Sequence, residues 1–149
     1  MVINISQQVD FTLLYSLERA IKTYRQFAQR NISINNLDIT IDQWLVLKTI
    51  HDFPELNQKE IAERVFKDYA SITRIIEILV KKQYLERFFH NHDRRRYRLE
   101  LTHAGKEMYN ALKGIVESNR SEALKGFNDH EKDMFITLSN RIYHNCKNS

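Results

Sequence analysis

The chain is 149 residues long, 42% hydrophobic and 28% charged, which is enough apolar material to pack one core of ordinary domain size. Three Gly and one Pro are too few for an all-β sandwich or a glycine-rich nucleotide-binding fold. No run approaches the ~18 apolar residues of a membrane span, and polar Gln7, Gln8 and Asp10 interrupt any leader-like start. A single cysteine, Cys146, allows no internal disulfide and fits a reducing cytoplasm. The net charge of +4 is unevenly spread: Lys59 to Arg98 carries eleven Lys and Arg against six Asp and Glu, leaving twelve against thirteen elsewhere. That is the distribution of a polyanion-binding lobe on a neutral scaffold, or more plainly of one solvated basic face.

In chain order, Val9, Leu13, Leu17, Ala20, Tyr24 and Phe27 recur at spacings of three and four and predict a long amphipathic helix from Ser6 to Arg30. Asn31 to Asp38 reads as a connector. Thr40-Ile41-Asp42-Gln43 is a capping-box pattern that opens a second helix through Trp44, Leu45, Leu47 and Ile50, closing before Pro54. Asn57-Gln58-Lys59-Glu60 opens a short third helix with Ile61, Ala62 and Val65. A longer one starts near Asp68 or Ser71, with Ile72, Ile75, Ile76, Leu79 and Val80 as its apolar stripe and Ser71, Thr73, Arg74 and Glu77 largely on the other face. Two helices separated by so short a break are the ingredients of a helix-turn-helix.

The period then changes. Leu85 to Phe89 and Arg96 to Leu101 read as short strands, the second cleanly alternating, with His90 to Arg95 as a basic turn between them. The pattern is a β-hairpin with a cationic tip, a wing. Thr102 caps a further helix carrying Ala104, Met108, Ala111, Leu112, Ile115 and Val116 towards Leu124 and Phe127. Asn128-Asp129-His130-Glu131 caps the last, with Met134, Phe135, Leu138, Ile142 and Tyr143. The fold class is mainly α with a small β-hairpin (α+β).

The order of these elements, the segment Asp93-Arg94-Arg95-Arg96-Tyr97-Arg98-Leu99-Glu100-Leu101-Thr102-His103-Ala104-Gly105 and the helix Ala70 to Leu79 together resemble the MarR family of bacterial transcriptional regulators. Two departures stand out. Gln83 follows Lys81-Lys82 where the family usually has Gly, and Asn91 and His92 stand where it often has Pro before the wing Asp. A left-handed Gln would cost about 1 kcal/mol relative to Gly.

The resemblance implies a winged helix-turn-helix lobe over residues 40–101 and a helical dimerisation region from both termini, 1–39 and 102–149, in a single domain spanning 1–149. It implies a cytoplasmic, nucleoid-associated homodimer on double-stranded DNA, a sequence-specific repressor of a pseudo-palindromic operator. Ser71, Thr73 and Arg74 lie early in the recognition helix, where side chains reach base edges, and Arg74 could pair bidentately with guanine. In the wing, the family's tip maps onto Arg95 as the minor-groove arginine and Asp93 as the carboxylate that holds it. Arg94, Arg96 and Arg98 become phosphate or internal pairing groups whose alternation places them on one strand face, and Lys59 is a candidate phosphate contact. Release by a small aromatic effector is the family's habit, with Tyr15, Tyr24, Trp44 and Phe53 as candidate cleft residues, although aromatics at helical spacing are also ordinary core.

Two other classes compete. His51-Asp52 and His90, His92 and Asp93 are the only places to seek acid–base or metal chemistry, and no second ligand cluster at a recognised spacing supports a metal. No catalytic motif is present, so neither an enzyme nor a cofactor is expected. Cys146 beside Lys147 is weak support for a redox switch. A winged-helix module that binds protein or structured RNA has the same charge pattern.

Overall fold

In the computed structural model, which describes residues 5–149 and side chains from Thr12 onward, the chain order is α1 (Ile5–Ile34), α2 (Ile41–Asp52), α3 (Gln58–Arg64), α4 (Tyr69–Lys81), β1 (Leu85–His90), β2 (Asp93–Leu101), α5 (His103–Ala123) and α6 (Asp129–Lys147). Val9, the first residue of the predicted α1 stripe, lies outside the described side chains. Thr40, Asn57 and Asn128 each close a full capping box with Gln43, Glu60 and Glu131, so two backbone N–H groups at each of these helix starts find side-chain acceptors locally.

Helix α1 continues through Ile34, past the predicted end at Arg30. Propensity alone disfavours Asn and Ser there, but tertiary burial prevails. Ile32 is fully buried in the core, Asn31 donates to Asn119 of α5 at 2.7 Å, and Ser33 and Asn35 donate back to Gln29 and Asn31 carbonyls. The helix stops where Asn36 takes a left-handed φ of 56°, which Asn tolerates better than most residues.

The core gathers Val46, Leu47 and Ile50 of α2, Ile61 of α3, Ile72, Ile76 and Leu79 of α4, Leu85 and Leu99 of the hairpin, and Tyr109 and Leu112 of α5. Each fully buried aliphatic side chain contributes on the order of 1.5–3 kcal/mol. Helix α5 joins this core through a stripe of Gly105, Tyr109, Leu112 and Asn119. Gly105 has a steric reason: a Cβ there would sit 2.0 Å from the carbonyl oxygen of Tyr84.

The chain divides into two compact units, one ending at Asn119 and one from Arg120 to Ser149. Within the second, α6 has no buried residue, and Phe127, Met134, Phe135 and Leu138 line an apolar cavity of about 540 Å³. Among the described residues no helix is long and apolar enough to cross a membrane.

Helices α3 and α4 end alike. After α3, Phe66 N–H donates to Glu63 and Lys67 N–H to Ala62. After α4, Gln83 N–H donates to Val80 and Tyr84 N–H to Leu79. These paired bonds form Schellman closures, which need a left-handed residue; Phe66 and Gln83 supply it at φ 58° and 61°. Gln83→Gly is therefore expected to raise unfolding stability by about 1 kcal/mol, read as a higher denaturation midpoint at unchanged slope. Gly105→Ala should lower it by about 2 kcal/mol or more, because a backbone atom must move.

Candidate nucleic-acid interface

The start of α4 is built by Asp68. Its carboxylate accepts from the backbone N–H and from the hydroxyl of Ser71, both at 2.8 Å, and those bonds, the backbone one first, hold its pKa below the ordinary value. The predicted start is thereby settled, with Asp68 as N-cap and Tyr69 as the first helical residue. Ile72, Ile76 and Leu79 face the core while Arg74 stands exposed on the other side. Among the described residues Arg74 makes no ion pair, although its charge acts on Asp68 from a distance, and its Nε approaches the Ala70 carbonyl at 3.5 Å. Of the three predicted reading residues, Arg74 alone has an uncommitted polar head. The Ser71 hydroxyl is engaged by Asp68, and the Thr73 hydroxyl donates to the Tyr69 carbonyl at 2.9 Å and accepts from Gln58 at 2.6 Å.

In the hairpin the strands reach further than the sequence pattern suggests. They pair from Leu85–Leu101 to Phe89–Tyr97, and the next pair is His90–Asp93. Asn91 and His92 make the turn, and Arg94, Arg95 and Arg96 face no residue on β1. Arg94 and Arg96 thus belong to β2 but lie beyond the regular ladder that holds Arg98. Arg98 lies on the regular side, paired with Glu100 and over the Phe88 ring. Arg94, Arg95 and Arg96 are exposed and make no ion pair among the described residues. Asp93 does hold the tip, but through the backbone: its Oδ1 accepts from the Arg95 N–H at 2.9 Å.

Between the wing and the helix-turn-helix runs a groove of about 810 Å³. Its lining includes Lys59 at the start of α3, Tyr69 at the start of α4, and Arg95, Arg96 and Arg98 of β2. Gln58 lines it too, and sequence reasoning passed it over as the ordinary first residue of a capped helix. Only its partners, Thr73 and Tyr97, reveal it.

The remaining sequence candidates have separate surroundings. Trp44 is buried and stacks with Tyr109, Phe53 lies under the Arg64 guanidinium at 3.6 Å, Tyr15 is exposed beside Arg19, and Tyr24 is half-buried. None of the four lines the wing groove, the α6 cavity or a smaller hollow near Arg25. His51 stacks on Tyr109 and contacts Asp52, which Lys48 also holds. Among the described residues no group of His, Cys, Asp and Glu could hold a metal ion, and Cys146 is exposed.

Residues 39–97 match the sequence model of the MarR family. The HTH-type transcriptional regulator SarZ of Staphylococcus epidermidis is 32% identical over 114 residues, covering 76% of this chain and 73% of SarZ. The chain belongs to the MarR family. Solved structures agree in fold: a MarR/EmrR family transcriptional regulator from Acinetobacter sp. ADP1 superposes with TM-score 0.83 at 20% identity, covering 99% and 100% of the two chains. BpsR of Bordetella bronchiseptica, whose DNA binding is regulated by 6-hydroxynicotinic acid, gives 0.79 at 20% identity, covering 89% of this chain and 98% of BpsR. The protein is thus a MarR-family transcriptional regulator with a winged DNA-binding fold, not an enzyme.

One ion cluster ties this MarR-family lobe to α1. Asp42, at the start of α2, pairs with Arg25 of α1 and, at 3.0 Å, with Lys67 of the α3–α4 turn. Burial favours the neutral acid, but hydrogen bonds from Lys67 and Arg25 outweigh it and hold the carboxyl below its usual 3.8. A depressed carboxyl stabilises the fold above its unfolded-state pKa, and that stability is lost as pH falls through the folded one. Wild type should accordingly exceed Asp42→Asn in stability near neutral pH, with the gap closing below about pH 4. A gap independent of pH in acid-denaturation curves would contradict the pairing.

Proposed function

We propose that this regulator is a homodimeric repressor that reads a pseudo-palindromic operator in double-stranded DNA and is released by a small aromatic effector. The observation that carries the reading is the groove where Lys59, Arg95 and Arg96, without ion-pair partners among the described residues, converge beside the exposed start of the recognition helix. Unpaired cations around one groove are what a phosphate backbone needs, since each neutralised phosphate releases a condensed counterion.

In this reading α4 enters the major groove. Arg74 takes guanine O6 and N7, Ser71 and Thr73 lie against the bases and backbone beside it, and the wing tip sends Arg95 into the minor groove with Asp93 fixing its backbone. Arg94, Arg96 and Lys59 contact phosphates. Residues 40–101 form the reading lobe, and the stretches 1–39 and 102–149 form the dimerisation region. That assignment is supported by exposed Leu13, Leu14 and Ile21 on α1 and by Met134, Phe135, Ile136 and Leu138 on α6, side chains that a single chain leaves in water. Two lobes on a two-fold axis read half-sites about one helical turn apart. The effector class is supported by BpsR, whose DNA binding responds to a hydroxylated aromatic acid. Tyr15, Tyr24, Trp44 and Phe53 are the residues to vary first in mapping its pocket. The place of action is the bacterial cytoplasm, on the nucleoid.

Selection of bound duplexes from a random pool is expected to enrich a palindrome with half-sites about 10 base pairs apart, and light scattering to give a dimer. Steep salt dependence without any enriched palindrome would favour a structured-RNA or protein ligand instead, and a monomer would remove the symmetry. Arg95→Ala should weaken binding to the selected duplex while leaving the dimer intact. Arg74→Ala should cost about 1–3 kcal/mol of discrimination at particular bases and little non-specific affinity.

A further inference from the structure

We infer that Gln58 is a positioning residue that locks the wing to the recognition helix, so that the two grooves of the duplex are read by one rigid unit. Three elements meet at this side chain. Tyr97 of β2 donates its hydroxyl to Gln58 Oε1, Gln58 Nε2 donates to Thr73 Oγ1 at 2.6 Å, and Thr73 donates onward to the Tyr69 carbonyl at 2.9 Å. Every donor and acceptor in this series has one consistent direction. The Gln58 amide, with its carbonyl oxygen and its NH2 group, accepts from the wing and donates to the helix at once.

The hairpin needs such a tether. Two strands alone are marginally stable in water, and this pair buries Leu85 and Leu99 in the core at its base, with Leu101 and Tyr97 packed against that core half-buried. Towards the tip, Phe88, Phe89 and residues 90–96 are exposed. Tyr97 is the outermost half-buried residue of β2, with Phe89 edge-on to its ring and the Arg87 guanidinium 5.4 Å from it. Those contacts lie within the hairpin. The bond to Gln58 runs from Tyr97 to the helices, next to the three arginines of β2 that have no partner on β1. Thr73, whose position suggests a reader of bases, spends its hydroxyl on this connection. The inference rests on the DNA-reading assignment above for its purpose, and on the hydrogen bonds alone for its existence.

Two measurements test it, each on the full chain. The first is amide hydrogen exchange without DNA on Gln58→Ala, Thr73→Val and Tyr97→Phe. All three should accelerate exchange around Phe88 to Tyr97 by about tenfold, the scale expected for losing one or two such bonds, with α2 and α5 unchanged. Thr73→Val is the discriminating variant because Thr73 lies on α4 and bonds to Gln58 and the Tyr69 carbonyl, not to the wing. Wing exchange at the wild-type rate in Gln58→Ala and Thr73→Val overturns the tether.

The second compares binding to a duplex selected by the wild type with binding to a scrambled duplex of equal length. Gln58→Ala should reduce the selected-to-scrambled ratio by about tenfold, and the penalty of Arg95→Ala should shrink in that background. Equal loss on both duplexes together with a lowered unfolding midpoint means that Gln58 merely supports α3, and overturns the positioning role. An unchanged ratio despite faster wing exchange overturns it as well. Arg95→Ala in the wild-type background judges the DNA-reading assignment separately: no effect there refutes that assignment and the purpose given to Gln58, while the exchange data still decide whether the tether exists.

Discussion

The rest of this molecule depends on how α4 is seated. Ile72, Ile76 and Leu79 are fully buried and α4 packs against α2 and α3, so its rotation about its own axis is set by close packing that tolerates little slippage. With that face spent on the core, Arg74 is left outside. Asp68 fixes where the helix begins, and the left-handed Gln83 fixes where it ends and how the chain turns into β1. A recognition helix so held can present side chains to a duplex at a defined angle.

The basic residues between Lys59 and Arg98 divide into two groups. Lys67 pairs with Asp42, Lys82 with Asp38, and Arg98 with Glu100, while Arg64 and Arg87 lie against the Phe53 and Tyr97 rings. Most of these join one element to another, while the Arg98–Glu100 pair stays within β2. Lys59, Arg74, Lys81 and Arg94 to Arg96 make no such pairing among the described residues. Exposed pairs would contribute little stability in any case, so leaving cations unpaired costs the fold almost nothing and keeps them available to phosphate. The hairpin irregularity extends this by leaving three consecutive arginines of β2 without a cross-strand partner.

Asp42 and Gln58 have comparable roles as polar bridges. Asp42 joins α1 to the turn that precedes α4, and Gln58 joins α4 to the wing. Both are short polar bridges between elements distant in sequence, and both sit at the start of a helix whose capping box is supplied by neighbours. In each case local sequence explains the helix start, and the side chain beside the cap is free to make a tertiary bond.

Much of the architecture was legible in the amino-acid sequence because the signals were local. Capping boxes at Thr40, Asn57 and Asn128 act within four residues, the stripe of α4 repeats at helical spacing, and Leu99 to Leu101 alternate as a half-buried strand does. The site was legible in part, since the Asp93 to Gly105 segment and an exposed Arg74 follow from motif and period. What sequence left undecided was non-local. The extension of α1 to Ile34 comes from burial of Ile32 and the bond from Asn31 to Asn119, 88 residues away. The lack of a cross-strand partner for Arg94 to Arg96 comes from register, and the linking of Tyr97, Gln58 and Thr73 comes from three elements meeting in space. Periodicity records which face of an element is apolar, because that is a property of the element itself. It carries no record of which polar side chains meet across elements, and only the packed tertiary structure decides those partners.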